Sequence, residues 1–171
     1  LSEAVERFLL DAGTAGVPHS GRTLYAHLAG TERILRQWRV SETVCLAGRF
    51  HSIYGTNAFR RASIQVRDRA ALQALIGAAA EDLVYLFHHG ERSGCWLDAL
   101  RTGGIFSRID GQFLALDEPS VGGLIAVECA NLIEQGGGTG FLSRLAWAMD
   151  EYPIELEPGF ADFLASVPGF R

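Results

Sequence analysis

An all-α fold with one small β-hairpin is the class this sequence predicts, and three observations predict it. Apolar residues recur at spacings of three and four in segments separated by glycine or proline. Only Ile105–Leu116 alternates instead, and it turns on Asp110-Gly111, a strong short-range hairpin signal. Strand-like and helix-like stretches do not alternate along the chain, so a parallel βαβ sheet is excluded. The 171 residues point to a single domain over 1–171. A chain of this size buries about 70% of its unfolded surface, so its core needs no disulfide or structural metal to hold.

The elements follow in order. Ser2 is placed to cap a first helix with Val5, Phe8 and Leu9 on its inner face, and Gly13 to Pro18 breaks it. A second helix is expected from about Arg22 to Trp38, with Leu24, His27, Thr31, Ile34 and Trp38 on one face. Ser41 caps a third, which carries Val44, Ala47, His51 and Tyr54 inward and ends at Gly55. Residues 55–67 read as irregular, apart from a short extended piece at Ser63–Val66. Asp68 caps a helix through Ile76, and another runs from Ala78 to His88. A short helix at Ser93–Leu100 stops at Gly103-Gly104, before the hairpin. Helices at Ser120–Gln135, at Thr139–Met149 and after Pro158 complete the chain.

Composition narrows the function classes. Net charge is -5, which argues against nucleic acid, whose phosphates call for a basic stripe. All 15 basic residues are arginine, which points to a GC-rich bacterial coding bias and removes lysine Schiff-base and P-loop chemistry. Cys45, Cys95 and Cys129 form no CxxC pair, and their odd number suits a reducing cytoplasm. No run of about 18 apolar residues marks a membrane span, and the N-terminus lacks the basic start of a signal peptide. No GxSxG elbow is present, and Gly136–Gly140 follows no strand and precedes no lysine. Cys95 would be a nucleophile only if exposed beside His88 or His89. The aromatics Phe106, Phe113, Phe141, Trp147, Phe160, Phe163 and Phe170 read as packing residues, and the C-terminal phenylalanines could join two copies in a homodimer.

The five histidines, His19, His27, His51, His88 and His89, are the chemically informative residues. His27 and His51 fall on the inward faces of their helices, and His88 shares a face with Val84 and Phe87. Burying three imidazoles without partners would cost roughly 1–3 kcal/mol each. A shared metal ion or a shared hydrogen-bonded cluster removes that cost. Tyr54, one turn beyond His51, is a candidate proton donor. Thr56 and Asn57 could hold a substrate, and His19 could fold over the pocket.

Four segments then resemble a known family. Tyr25-Ala26-His27-Leu28-Ala29-Gly30-Thr31 resembles the first histidine helix of HD-domain proteins, and Cys45 to Ser52 resembles their His-Asp segment. His88-His89 resembles the later histidines of the dinuclear subgroup, and Ala130-Asn131-Leu132 resembles the closing Ala-Asp-Leu. The resemblance covers about residues 20–135 and includes Phe50–Phe59, which is similar to an HD-like branch of bacterial proteins without assigned chemistry. It implies an HD-like helical bundle and a metal-dependent phosphohydrolase or, in fewer members, a di-iron oxygenase. It implies His27 and His51 as ligands, with His88 or His89 beside them.

Two departures alter that inference. Ser52 stands where the family has its bridging Asp, and Asn131 where it has the last Asp ligand. Glu128, on the face of Asn131, could supply a carboxylate. Imidazoles with at most one carboxylate suit Fe, Zn, Mn or Co better than Mg²⁺.

The expectation is therefore a metal-dependent enzyme acting on a small polar metabolite, by hydrolysis or a related step. The metal set is His27, His51, His88, Glu128 and Asn131. Tyr54 and His89 would move protons, and His19, Ser52, Thr56 and Asn57 would bind substrate. A metal-free ligand-binding or scaffold protein and an iron-dependent oxygenase are the alternatives.

Overall fold

A computed structural model describes residues 3–170. Ser2, expected to cap the first helix, lies outside them. The described residues are mostly helical, with two small antiparallel hairpins. The helices are α1 (Glu3–Asp11), α2 (Leu24–Gln37), α3 (Glu42–Phe50), α4 (Arg69–Ile76), α5 (Ala78–His89), α6 (Gly94–Thr102), α7 (Glu118–Glu134), α8 (Thr139–Glu151) and α9 (Pro158–Ser166). Strands β1 (Pro18–His19) and β2 (Arg22–Thr23) form one hairpin. Strands β3 (Gly104–Phe106) and β4 (Phe113–Ala115) form the other, with Ile105 opposite Leu114. No helix among the described residues is long and apolar enough to cross a membrane.

Helix α7 is the axis of the fold. Every residue from Val121 to Asn131 is buried, so it has no solvent face and must be packed on all sides. Helices α2, α3, α5 and α6 pack around it. It starts at Asp117, whose Oδ1 accepts from Ser120 N at 2.9 Å, with Pro119 in its first turn. This start precedes the expected Ser120, because Asp-x-Pro caps and pre-sets a first turn better than serine alone.

Close approach of α2 to α3 and to α7 depends on two glycines. A Cβ on Gly48 would overlap Leu35, so α2 and α3 touch closely there. A Cβ on Gly30 would overlap the Glu134 carboxylate, and Gly30 thus makes room for an acid between α2 and α7.

Other segments also differ from the sequence expectation. Helix α2 begins at Leu24, capped by Thr23, whose Oγ1 accepts from Ala26 N at 3.2 Å. The residues just before it form β1–β2, a hairpin that the sequence reading lacked. Ser20 and Gly21 close it with φ of 46° and 79°, the positive pair that a tight two-residue hairpin turn requires. Helix α3 stops at Phe50 instead of continuing to Gly55. Residues 51–54 turn more tightly, with Ile53 N on Phe50 O at 2.8 Å and Gly55 N on Ser52 O at 2.9 Å. Ser63–Val66 forms no strand.

The C-terminal phenylalanines are used within the chain. Phe163 stacks on Trp38 at 4.1 Å between ring centroids, and Phe160 is buried beside it. The exposed large aromatics are Phe106, Phe113 and Trp147.

Candidate functional site

The expected metal set is split. His27 and His51 meet in the interior, 0% and 1% exposed, with their Nε2 atoms 3.2 Å apart. His27 arrives from the middle of α2, and His51 is the residue just after α3. Phe87 of α5, not His88, packs its ring against His51.

The outer nitrogens of this pair have fixed partners. His27 Nδ1 lies 2.5 Å from Glu134 Oε2 at the end of α7. His51 Nδ1 donates to the Gly48 carbonyl at 2.8 Å. Arg22 holds the Glu134 carboxylate from β2, with Nη1 2.6 Å from Oε1 and Nη2 donating to the Glu134 backbone oxygen at 3.1 Å. An arginine-paired carboxylate and a backbone carbonyl are both acceptors, so each ring carries its hydrogen on Nδ1. Burial holds both imidazoles toward the neutral form, more strongly for His51, whose pKa is also lowered by His27. Two neutral rings of that tautomer direct their Nε2 lone pairs at each other across 3.2 Å. Such a contact is favourable only with a cation between them, either a metal ion or a shared proton.

Glu134 escaped the sequence reading. Its one signal is electrostatic. An acid in the last turn of a helix faces the negative end of the macrodipole and therefore needs a cation of its own. Arg22 supplies it, and His27 adds a hydrogen bond.

His19, on β1, covers the pair. Its ring lies 4.3 Å from that of His27 and 4.8 Å from that of Phe59. Its Nε2 is buried without a hydrogen-bond partner, at a cost of about 1–3 kcal/mol for an orphaned polar atom. Burial, reinforced by His27, Arg92 and Arg22, pulls His19 down to about 4, so it is neutral.

The other expected residues have definite places. Asn131 lies beside His27, and its Oδ1 accepts from Gln135 Nε2 at 2.9 Å while its Nδ2 is buried without a partner. Ser52 is buried in the turn after His51. Glu128 is taken up by Arg92, with Nε–Oε2 at 2.7 Å and Nη2–Oε1 at 3.2 Å. Among the described residues, no three His, Cys, Asp or Glu side chains converge as a metal site would require.

His88 donates from Nδ1 to the Gly55 carbonyl at 2.7 Å, and His89 Nδ1 lies 2.8 Å from Ser107 Oγ in the β3–β4 hairpin. Neither is paired with His27 or His51. The Tyr54 hydroxyl donates to Glu81 at 2.8 Å, and burial followed by that carboxylate raises its pKa. Because α3 ends early, Tyr54 shares no helical face with His51. Thr56 is fully buried; its Oγ1 accepts from Phe59 N at 3.0 Å and lies 3.4 Å from Arg92 Nη1. Asn57 donates to Glu91 at 2.9 Å and to the Arg92 carbonyl at 3.1 Å.

The cysteines are free. Burial pushes Cys95 up to about 12 and Cys45 up to about 11, which makes poor nucleophiles of both.

No curated protein and no solved structure matches the chain. Residues 8–92, just under half of it, match a family described as a domain of unknown function (DUF6817). That span carries His19, His27, His51, Ser52, Tyr54, Thr56, Asn57, His88 and His89, while Glu128, Asn131 and Glu134 lie beyond it.

Proposed function

We propose that this protein is a metal-dependent enzyme of HD-like type that acts on a small polar metabolite, with its ion held by His27 and His51. One observation carries the reading: two buried Nε2 atoms 3.2 Å apart, each on a ring whose Nδ1 is already committed. Two nitrogens bound about 2.0–2.1 Å from one zinc ion at a near-tetrahedral angle stand roughly 3.3 Å apart, so the pair fits as adjacent ligands. The donor set suits Fe, Zn, Mn or Co rather than Mg²⁺. Glu134 behind His27 is the carboxylate partner that orients metal-binding histidines, and the Gly48 carbonyl does the same for His51.

A bound divalent ion would supply Lewis acidity and an activated water. The chain itself would orient both imidazoles, exclude bulk water with Phe87, and cover the pair with His19. Hydrolysis is the simplest reaction for that arrangement.

A second reading is a metal-free ligand-binding protein in which the two rings share a proton. Ser52, Asn131 and the neutralised Glu128 favour it, since each removes a carboxylate from the site.

Metal content separates the two. Protein purified without an affinity tag should carry or take up about one equivalent of a transition ion per chain. His51→Ala should abolish that uptake and leave the helical circular dichroism intact. Iron as the bound element would turn the chemistry toward an oxygenase. Wild-type protein that stays empty after incubation with Zn²⁺, Fe²⁺, Mn²⁺ and Co²⁺ would overturn the metal reading.

A further inference from the structure

We propose that the β1–β2 hairpin is a metal-coupled cover and that His19 is a third nitrogen ligand carried on it. The inference rests on the metal reading of the His27–His51 pair and adds the element that completes the site.

The pair alone is an incomplete site, because catalytic zinc centres hold their ion by three protein ligands. The sequence-expected completions are engaged elsewhere: Glu128 with Arg92, His88 with the Gly55 carbonyl, and Asn131 Oδ1 with Gln135 Nε2. His19 is the nearby donor that remains. Its ring already touches His27, and its Nε2 is buried with nothing to bind. Its present pose is stacked, with a 32° angle between the rings, and stacked rings do not aim at a common ion. Rotation of the His19 side chain with a small shift of the hairpin would bring it from the stack onto the ion.

Access leads to the same element. His27 and His51 are closed to solvent, so an ion can enter only if something moves. The hairpin is the natural mover. It is two residues a side, and its side-chain ties to α7 and the turn after it are Arg22 to Glu134 and Ser20 Oγ to Gln135 Oε1 at 3.1 Å. One of those ties ends on Glu134, the residue that orients His27. Cover, third donor and orienting carboxylate are thereby joined. An ion entering under the open hairpin would be sealed as His19 closes.

The test is a Co²⁺ titration of the full untagged, metal-stripped chain, read by visible absorption, with amide hydrogen exchange over residues 18–23. Wild type should bind Co²⁺ and slow exchange in the hairpin. His19→Ala should weaken binding by more than the roughly 10–100-fold that losing an orienting partner costs, and should change the cobalt spectrum. His19→Phe keeps the ring stack without the donor, and should be as weak as His19→Ala. Wild-type affinity and spectrum in both variants, with binding still lost in His51→Ala, would overturn the role of His19 and leave the metal reading standing. Unchanged hairpin exchange on Co²⁺ binding would overturn the cover. Failure of wild type to bind Co²⁺ would overturn both.

Discussion

His27 is held from behind by a carboxylate that has no freedom of its own. Glu134 accepts from His27 Nδ1 and is pinned by Arg22, and Gly30 gives it the space to sit between two helices. The charge on Glu134 raises the basicity of Nε2 and fixes the ring tautomer. Glu134→Gln preserves the shape and removes the charge. It should lower transition-metal affinity by about 10–100-fold while the circular dichroism stays that of wild type. Gly30→Ala reaches the same carboxylate by steric means, since its Cβ would come within 2.8 Å of Glu134 Cγ. It should weaken metal binding in the same direction. Equal affinities for wild type and Glu134→Gln would show that the carboxylate merely fills space. His27 and His51 were legible in the sequence because both lie at helical spacing among apolar residues. Glu134 was not, because its partners lie 107 and 112 residues away in the chain.

At the scale of elements, the turn after α3 is secured by a polar network. Glu81, fully buried on α5, accepts from Tyr54 OH at 2.8 Å, from Arg69 Nη2 at 2.6 Å and from Gln73 Nε2 at 2.9 Å. It therefore ties α4, α5 and the His51–Tyr54 turn together. Removing one partner from such a network leaves the others unsatisfied. Arg69 keeps 29% of its side chain exposed, so its stranded charge is partly rehydrated. Glu81→Ala should cost about 2–4 kcal/mol in urea unfolding, against a smaller loss for Glu81→Gln. A loss under about 1 kcal/mol would mean that apolar packing alone holds the turn. The element list was largely legible because amphipathic periodicity survives in a single sequence. The end of α3 was not, since tight i to i+3 turns keep His51 and Tyr54 at a helix-like spacing. The β1–β2 hairpin was missed because two-residue strands have no period to detect, although Ser20-Gly21 was a readable turn signal.

For the molecule as a whole, burial lowers the pKa of all five histidines and sets a dependence of stability on acid, and His88 and His89 carry the part of it that lies outside the central site. His89 is 6% exposed and joins α5 to the β3–β4 hairpin through Ser107, and His88 joins α5 to the Gly55 turn. Burial lowers both pKa values below 6.5; His88 and Arg108 push His89 further in that direction, and Asp110 opposes them. A histidine lowered in the folded state takes up its proton first in the unfolded chain. The stability tied to its neutral form is fully present above the unfolded value of 6.5, and is lost as pH falls from there toward the folded values. In metal-stripped protein the urea midpoint should be flat above about pH 7.5 and should fall steadily between about pH 6.5 and 5. His89→Gln keeps a hydrogen-bonding group opposite Ser107 and cannot charge, so it should make that slope shallower even if it lowers the plateau. A midpoint in wild type that is level across the same interval would show that these imidazoles gain compensating partners on protonation. The fold would then tolerate acid at the helix–hairpin junction, and any acid sensitivity of metal binding would belong to the central site alone.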